Sequence, residues 1–262
     1  MILLLPPSET KRDGGTDGTA LDLAALSYPA LHGHRRATVA ALRALSRNVA
    51  ESATALKLSD KQRFEIERNR VLHSSPLMPV MDRFTGVLFE ALDAPTLDKG
   101  ARDWLARHAV VHSALFGLVG AGDLIPAYRL SQDSRLPELS LKKHWSAAIA
   151  AELASVDGLT LDLRSEGYVA LGAAGEGSFY VRVVSAASDG TKKALNHFNK
   201  KGKGEFVRAL ATAGIDHPDV ESLLAWAPEA GIRLERVAPV DSGTASSRPG
   251  AANRRGMLDL VV

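Results

Sequence analysis

The chain has 262 residues, 45% of them apolar, with 32 basic and 30 acidic side chains for a formal charge of +2. That is enough apolar material for a sizeable core in one large domain or two joined lobes, and too little net charge to announce a nucleic-acid protein by itself. The absence of cysteine excludes disulfides, thiolate zinc sites, iron–sulfur clusters and thiol peroxidase chemistry.

The chain begins "MILLLPPSETK". The apolar run Ile2–Leu5 ends abruptly at two prolines, which predicts a buried strand that stops where the N–H donors run out. Ser8, Glu9, Thr10 and Lys11 then lie at a strand end. The run is too short for a membrane span and lacks the basic lead-in of a signal peptide, so the expected location is the cytoplasm, with no membrane partner. "RDGGTDGTALDL" is glycine-rich and predicts a loop. In "HRRATVAALRALS", Val39, Leu42 and Leu45 recur at helical spacing. Ser59 and Gln62 form a capping-box pattern that starts another helix. "SSPLMPVMDRFTGVLFEAL" predicts a turn entering a helix, and Thr96 is the candidate cap of the helix in "LDKGARDWLARH".

"AVVHSALFG" predicts a buried strand, and "GLVGAGDLIPAYRLS", with its glycines and proline, a loop. Leu141, Trp145, Ile149 and Leu153 fall four apart on one helical face. "LTLDL", "SFYVRVV", "GIRLERV" and "MLDLVV" suit strands, with "EFVRALATAG" and "DVESLLAWA" as helices between them. The expected class is mixed α/β without the regular βαβ alternation of a doubly wound fold. Residues 241–256, "DSGTASSRPGAANRRG", have the composition of a flexible loop.

Several familiar chemistries find no support. "GLVGAG" does not follow the G-x-G-x-x-G order, and there is no Walker sequence, nucleophile elbow or H-E-x-x-H. No metal and no cofactor are therefore expected. Lys11 beyond the first strand is placed to meet an anion, since ligands of open α/β sheets gather at the carboxyl ends of strands. "DLRSEGY" puts Ser165, Glu166 and Tyr168 after another strand, where a hydroxyl, a carboxylate and a phenol serve either acid–base chemistry or turn capping.

Charge is concentrated in "KKALNHFNKKGKGEFVR": Lys192, Lys193, Lys200, Lys201, Lys203 and Arg208 against the single acid Glu205. Gly202 and Gly204 flank Lys203 and predict a sharp turn that exposes N–H groups beside cations, a geometry suited to phosphate. The pattern is similar to the hairpin of helix-hairpin-helix DNA-binding motifs, although Lys203 stands where an apolar residue is usual.

The ordered set "LLLPPSETK", "RFTGVLFEAL", "ALFGLVGAGDLIPAYRL", "KKHW", "LRSEGY" and "NKKGKG" resembles the bacterial YaaA family of peroxide-stress proteins. The resemblance implies a single domain over residues 1–262, compact and of unusual topology. It would have a central mixed sheet or partial barrel and a helix-hairpin-helix-like segment at residues 192–213. It also implies binding to double-stranded DNA without strong sequence preference, and a role in limiting oxidative and iron-dependent damage under peroxide. Lys11, Arg129, Ser165, Glu166, Tyr168, Lys200 and Lys201 match the family's landmarks; Ala127 before Tyr128 departs from them. The alternative is an enzyme acting on a nucleotide, nucleobase or related anionic small molecule. Its pocket would hold Glu9, Lys11, Glu166 and Tyr168 as catalytic groups, with Ser8, Arg129 and Ser165 as ligand contacts.

Overall fold

The computed structural model describes residues 1–186, 192–194, 198–238 and 256–262. In chain order these form β1 (Ile2–Leu5), α1 (His32–Leu45), α2 (Val49–Ala55), α3 (Phe64–Arg70), β2 (Met78–Pro79), α4 (Val80–Arg83), α5 (Val87–Leu92), α6 (Lys99–His108), β3 (Ala109–Ser113), β4 (Gly117–Gly120) and β5 (Leu124–Ile125). There follow α7 (Leu141–Ala154), β6 (Thr160–Asp162), α8 (Glu166–Val169), β7 (Ser178–Ala186), β8 (Lys192–Ala194), α9 (Phe198–Ala213), α10 (Val220–Glu229), β9 (Arg233–Arg236) and β10 (Gly256–Val261). The loop expected at residues 241–256 lies outside the described residues except for Gly256, which opens β10.

The main sheet runs β4-β3-β1-β6-β7-β10-β9, with β8 also paired to β7. β1 is fully buried from Leu3 to Leu5 and lies between β3 and β6, parallel to both. β6, β7 and β10 continue the parallel run, while β4 and β9 close the two ends antiparallel. A strand central in a parallel sheet is buried on both faces, which is why "ILLL" is continuous rather than alternating. β2 and β5 form a separate two-stranded ribbon. One hydrophobic cluster extends from Leu3 to Leu260, so the fold is a single compact domain of mixed α/β class.

The sequence patterns are met along most of the chain. Leu141, Trp145, Ile149 and Leu153 are all buried on α7. The Ser59–Gln62 capping box forms, on a short 3-10 turn just before α3. Four expectations change, three of them local. "GLVGAGDLIPAYRLS" is not all loop: Gly117 at φ +69 closes a tight hairpin, and Leu118–Gly120 pair back on β3. The cap of α6 is Asp98, whose side chain accepts from the Ala101 amide, whereas Thr96 ends a preceding 3-10 turn. "RFTGVLFEAL" breaks at Phe84–Gly86 before α5 begins.

The largest change concerns the basic segment. Residues 198–213 are one continuous helix, α9, and the turn expected at Gly202 and Gly204 is not there. The glycines serve close packing instead. A Cβ on Gly204 would lie 2.2 Å from the Leu88 carbonyl oxygen of α5, and one on Gly202 would meet Val183 of β7 and Val262. Helix propensity disfavours glycine here by about 1 kcal/mol each, and the backbone approach that they allow outweighs it.

Buried arginines fasten the irregular segments. Arg35 donates to the carbonyls of Leu26, Ser27, Phe116 and Leu118, and Arg83 to those of Arg12, Pro76 and Ile125. Each guanidinium thus satisfies carbonyls that no ladder covers. Through Arg83, the segment after β1 is tied to α4 and to the β2–β5 ribbon.

Candidate functional site

Pro6 and Pro7 end β1, and the chain turns through Ser8–Lys11 at the carboxyl end of the parallel strands. The turn is held by a backbone bond from Arg12 to Arg83 and by a bridge between Lys11 and Phe84. Lys11 folds back beneath its own loop, where Nζ donates to the Ser8 carbonyl at 2.9 Å and the Glu9 carbonyl at 3.2 Å. The amine lies 4.1 Å from the Tyr128 ring centre and 5.1 Å from that of Phe84. Burial lowers its pKa from 10.5 to about 7; Glu65 and Glu9 oppose the fall, while Arg129 and Arg68 add to it. A lysine in this state is divided at neutral pH between ammonium and free amine.

Ser8, Glu9 and Thr10 form the outer layer of the loop. Ser8 and Thr10 hydroxyls lie 3.2 Å apart, and Thr85 donates to Thr10. Glu9 reaches inward to accept from Arg129 Nη2 at 2.8 Å, pairing an exposed carboxylate with a buried guanidinium. The Arg129 backbone is fixed by Asn69 of α3, which accepts from its N–H and donates to its carbonyl. Among the described residues, Arg129 Nε has no partner.

A second set converges from β3 and β6. Arg164 is fully buried and bonds both oxygens of Asp162, at 2.9 and 2.7 Å. Its Nη1 meets His112 Nδ1 at 2.8 Å and the Gly172 carbonyl at 2.9 Å. Burial, followed by the Arg164 charge, holds the His112 pKa well below the ordinary histidine value. His112 packs edge-on against Tyr168, with ring centres 5.4 Å apart. Ser113 Oγ already accepts from the amides of Leu115 and Phe116, so its hydrogen goes to the Tyr128 hydroxyl 2.7 Å away.

Burial raises both phenols. Tyr168 is pushed well above its ordinary value by burial first and by Tyr128, Glu9 and Asp133 next, with a backbone bond from Gln132 in opposition. Tyr128 is raised by burial against the bond from Ser113. Both remain protonated at neutral pH and can donate. Gln132, whose backbone bonds Tyr168, also lines an open groove of about 860 Å³ along residues 132–144.

The structure therefore gathers Ser8, Glu9, Lys11, Arg129 and Tyr168 at one end of the sheet. Ser165 and Glu166 are nearby in sequence but exposed, at the start of the one-turn helix α8. Sequence reasoning missed His112, Ser113, Tyr128, Asp162 and Arg164. The readable signal was polar residues inside or directly after apolar runs, "VVHS" and "LTLDLR". Among the described residues, no group of three or more His, Asp or Glu side chains is arranged to hold a metal ion.

The basic segment divides. Lys203 is buried; its Nζ donates to the Leu163 carbonyl at 2.9 Å, just beyond β6, and lies 5.3 Å from the Tyr180 ring centre. Arg208 donates to the carbonyls of Leu92 and Asp93 and to Thr96, covering the C-terminus of α5. Both are thus internal fasteners, in contrast to the phosphate contacts expected of them. Lys200 and Lys201 are exposed on α9, with Lys201 pairing Glu205 at 3.2 Å. Lys192 and Lys193 lie in β8, and their side chains are outside what is described.

Comparison with known proteins agrees with the landmarks. The family model for "Peroxide stress protein YaaA" matches residues 1–231. A UPF0246 protein of Corynebacterium glutamicum is 42% identical over 240 residues, 90% of this chain and 95% of the relative. One from Corynebacterium efficiens is 43% identical over 240 residues with the same coverage. One from Streptomyces coelicolor is 38% identical over 251 residues, 93% of this chain and 95% of the relative.

Proposed function

Because the chain belongs to the family of the peroxide stress protein YaaA, we propose that it serves the peroxide stress response through an enzymatic site built around Lys11. The substrate is a nucleotide, nucleobase or related anionic small molecule, and the chemistry is acid–base or amine-nucleophilic. The observation that carries this reading is the Lys11 amine, buried at the end of a parallel sheet beneath two aromatic rings and brought to a pKa of about 7. A group poised near the working pH both takes and returns protons efficiently, and a free amine is also a nucleophile. Tyr128 and Tyr168 supply phenolic donors, and Arg129, oriented by Glu9, supplies a fixed cation.

The test is the titration of Lys11 itself. Reductive ¹³C-methylation followed by NMR, with the signal assigned by its loss in Lys11→Met, is expected to give a midpoint near 7. A midpoint in the ordinary lysine range, near 10.5, would overturn the reading.

A second reading is favoured by the exposure of Lys200 and Lys201 on α9. The chain binds double-stranded DNA through these lysines without strong sequence preference, since they offer charge and no base-reading groups. Binding of this kind would place the site's chemistry beside the DNA that peroxide and iron damage.

A further inference from the structure

His112 is fully buried at the carboxyl end of β3, and its hydrogen bonds determine where its proton sits. Its Nδ1 faces Arg164 Nη1. A guanidinium only donates, so Nδ1 is the acceptor and the ring hydrogen belongs to Nε2. Arg164 is in turn immobilised by both oxygens of Asp162 and by the Gly172 carbonyl. The tautomer is therefore imposed by the groups at the carboxyl end of the sheet. His112 cannot act as a base through Nε2; it can only donate from it.

Among the described residues that Nε2–H has no partner, and neither does Arg129 Nε–H, on a residue only 6% exposed. Buried N–H donors are almost always satisfied, so two fixed, unpaired donors at one sheet end call for acceptor atoms. The surrounding charges limit what can carry those acceptors. Arg129 is paired with Glu9, Arg164 with Asp162, and Arg68 with Glu65 and Asp13. Even with Lys11 counted as fully charged, these four cations are matched by four carboxylates, which leaves no surplus of positive charge to neutralise a phosphate.

We propose that His112 Nε2–H and Arg129 Nε–H are binding donors for an uncharged molecule that presents carbonyl oxygen, of the cyclic amide class found in oxo-bearing nucleobases. The route assigned to it in this proposal passes Tyr168, whose ring packs edge-on against His112 and whose phenol meets the backbone of Gln132, a residue of the groove wall. This inference rests on the reading that the sheet end around Lys11 is the binding site, and it selects the nucleobase among the substrates named there.

The experiment is ¹H–¹⁵N long-range NMR of the histidines in the whole chain, with His112 assigned by its loss in His112→Gln, a variant that keeps a side-chain N–H. The free protein is expected to show His112 neutral, with its hydrogen on Nε2, from pH 6 to 8. Hypoxanthine, which carries a ring carbonyl, is expected to shift that signal at concentrations at least tenfold lower than adenine, which carries an amino group instead; inorganic phosphate should leave it in place. A hydrogen on Nδ1, a charged ring, no response to hypoxanthine, or an equal response to adenine or phosphate would each overturn the proposal. Repeating the titration in Lys11→Met separates the two readings. A retained hypoxanthine response there, with a wild-type Lys11 midpoint near 10.5, would sink the enzymatic reading and leave the donor assignment standing.

Discussion

The loop after β1 and the helix α9 both carry lysines, and the fold treats them differently. In the loop, one lysine is drawn under its own backbone, out of water, and surrounded by paired charges at the open end of a parallel sheet. In α9, where the sequence is densest in cations, two lysines stay in solvent, a third is consumed on the Leu163 carbonyl, and Arg208 caps α5. Local charge density therefore said little about chemistry. What separates Lys11 from Lys200 and Lys201 is desolvation: Lys11 is held where the charge is expensive.

The sharpest way to break this contrast is to remove what holds the sheet end. Arg164→Met leaves Asp162 as a buried carboxylate without its bidentate partner and strips His112 of its donor. Breaking a buried pair from one side typically costs about 3–5 kcal/mol, and urea denaturation should show a loss of that size. A loss below about 1 kcal/mol would mean that water already reaches the pair. Next in size is Gly204→Ala. Its Cβ would meet the backbone of α5 at 2.2 Å, so two helices must separate, with an expected loss of about 3 kcal/mol. If Gly204 instead occupied a solvent-facing hairpin, the variant would unfold at the wild-type denaturant midpoint.

The pH dependence of stability sharpens the contrast from the other side. Lys11 titrates near 7 when folded and near 10.5 when unfolded, so between those values the unfolded chain binds the additional proton. Stability from this group therefore rises with pH across that window. Between pH 7 and 9 the gain is about 2 kcal/mol, read as the difference between wild type and Lys11→Met in urea titrations at the two pH values. Equal pH dependence in both proteins would show that Lys11 is solvated.

The elements legible in the sequence were those whose cause is local. "ILLLPP" contains its own strand and its own stop, and the α7 face and the Ser59 capping box need only nearest neighbours in the chain. The site was half legible, because Glu9, Lys11, Arg129 and Tyr168 stand out as polar residues at strand ends. Its other half depends on pairings between distant segments. His112 looks like a polar interruption of an apolar run until β6 brings Arg164 beside it, 52 positions along the chain. Gly202 and Gly204 misled for the same reason. A G-x-G pair in isolation suggests a turn, and only the approach of α5 shows that the glycines are there for contact.

The smallest expected effect is also the most discriminating for α9. Lys200→Ala with Lys201→Ala removes two exposed side chains and one solvent-exposed pair with Glu205, so stability should change by no more than about 0.5 kcal/mol. If these lysines lie on DNA phosphates, the log–log salt slope of duplex binding, followed by fluorescence anisotropy, should flatten by about 1.8, or 0.9 per contact. Adding Lys203→Ala should then lower stability without flattening the slope further, because that amine is already bonded inside the protein. A further loss of slope in the triple variant would mean that Lys203 leaves the Leu163 carbonyl to meet DNA, and the helix would have to rotate or open to allow it. An unchanged slope in the double variant would remove α9 from the interface and leave the sheet end around Lys11 as the functional surface.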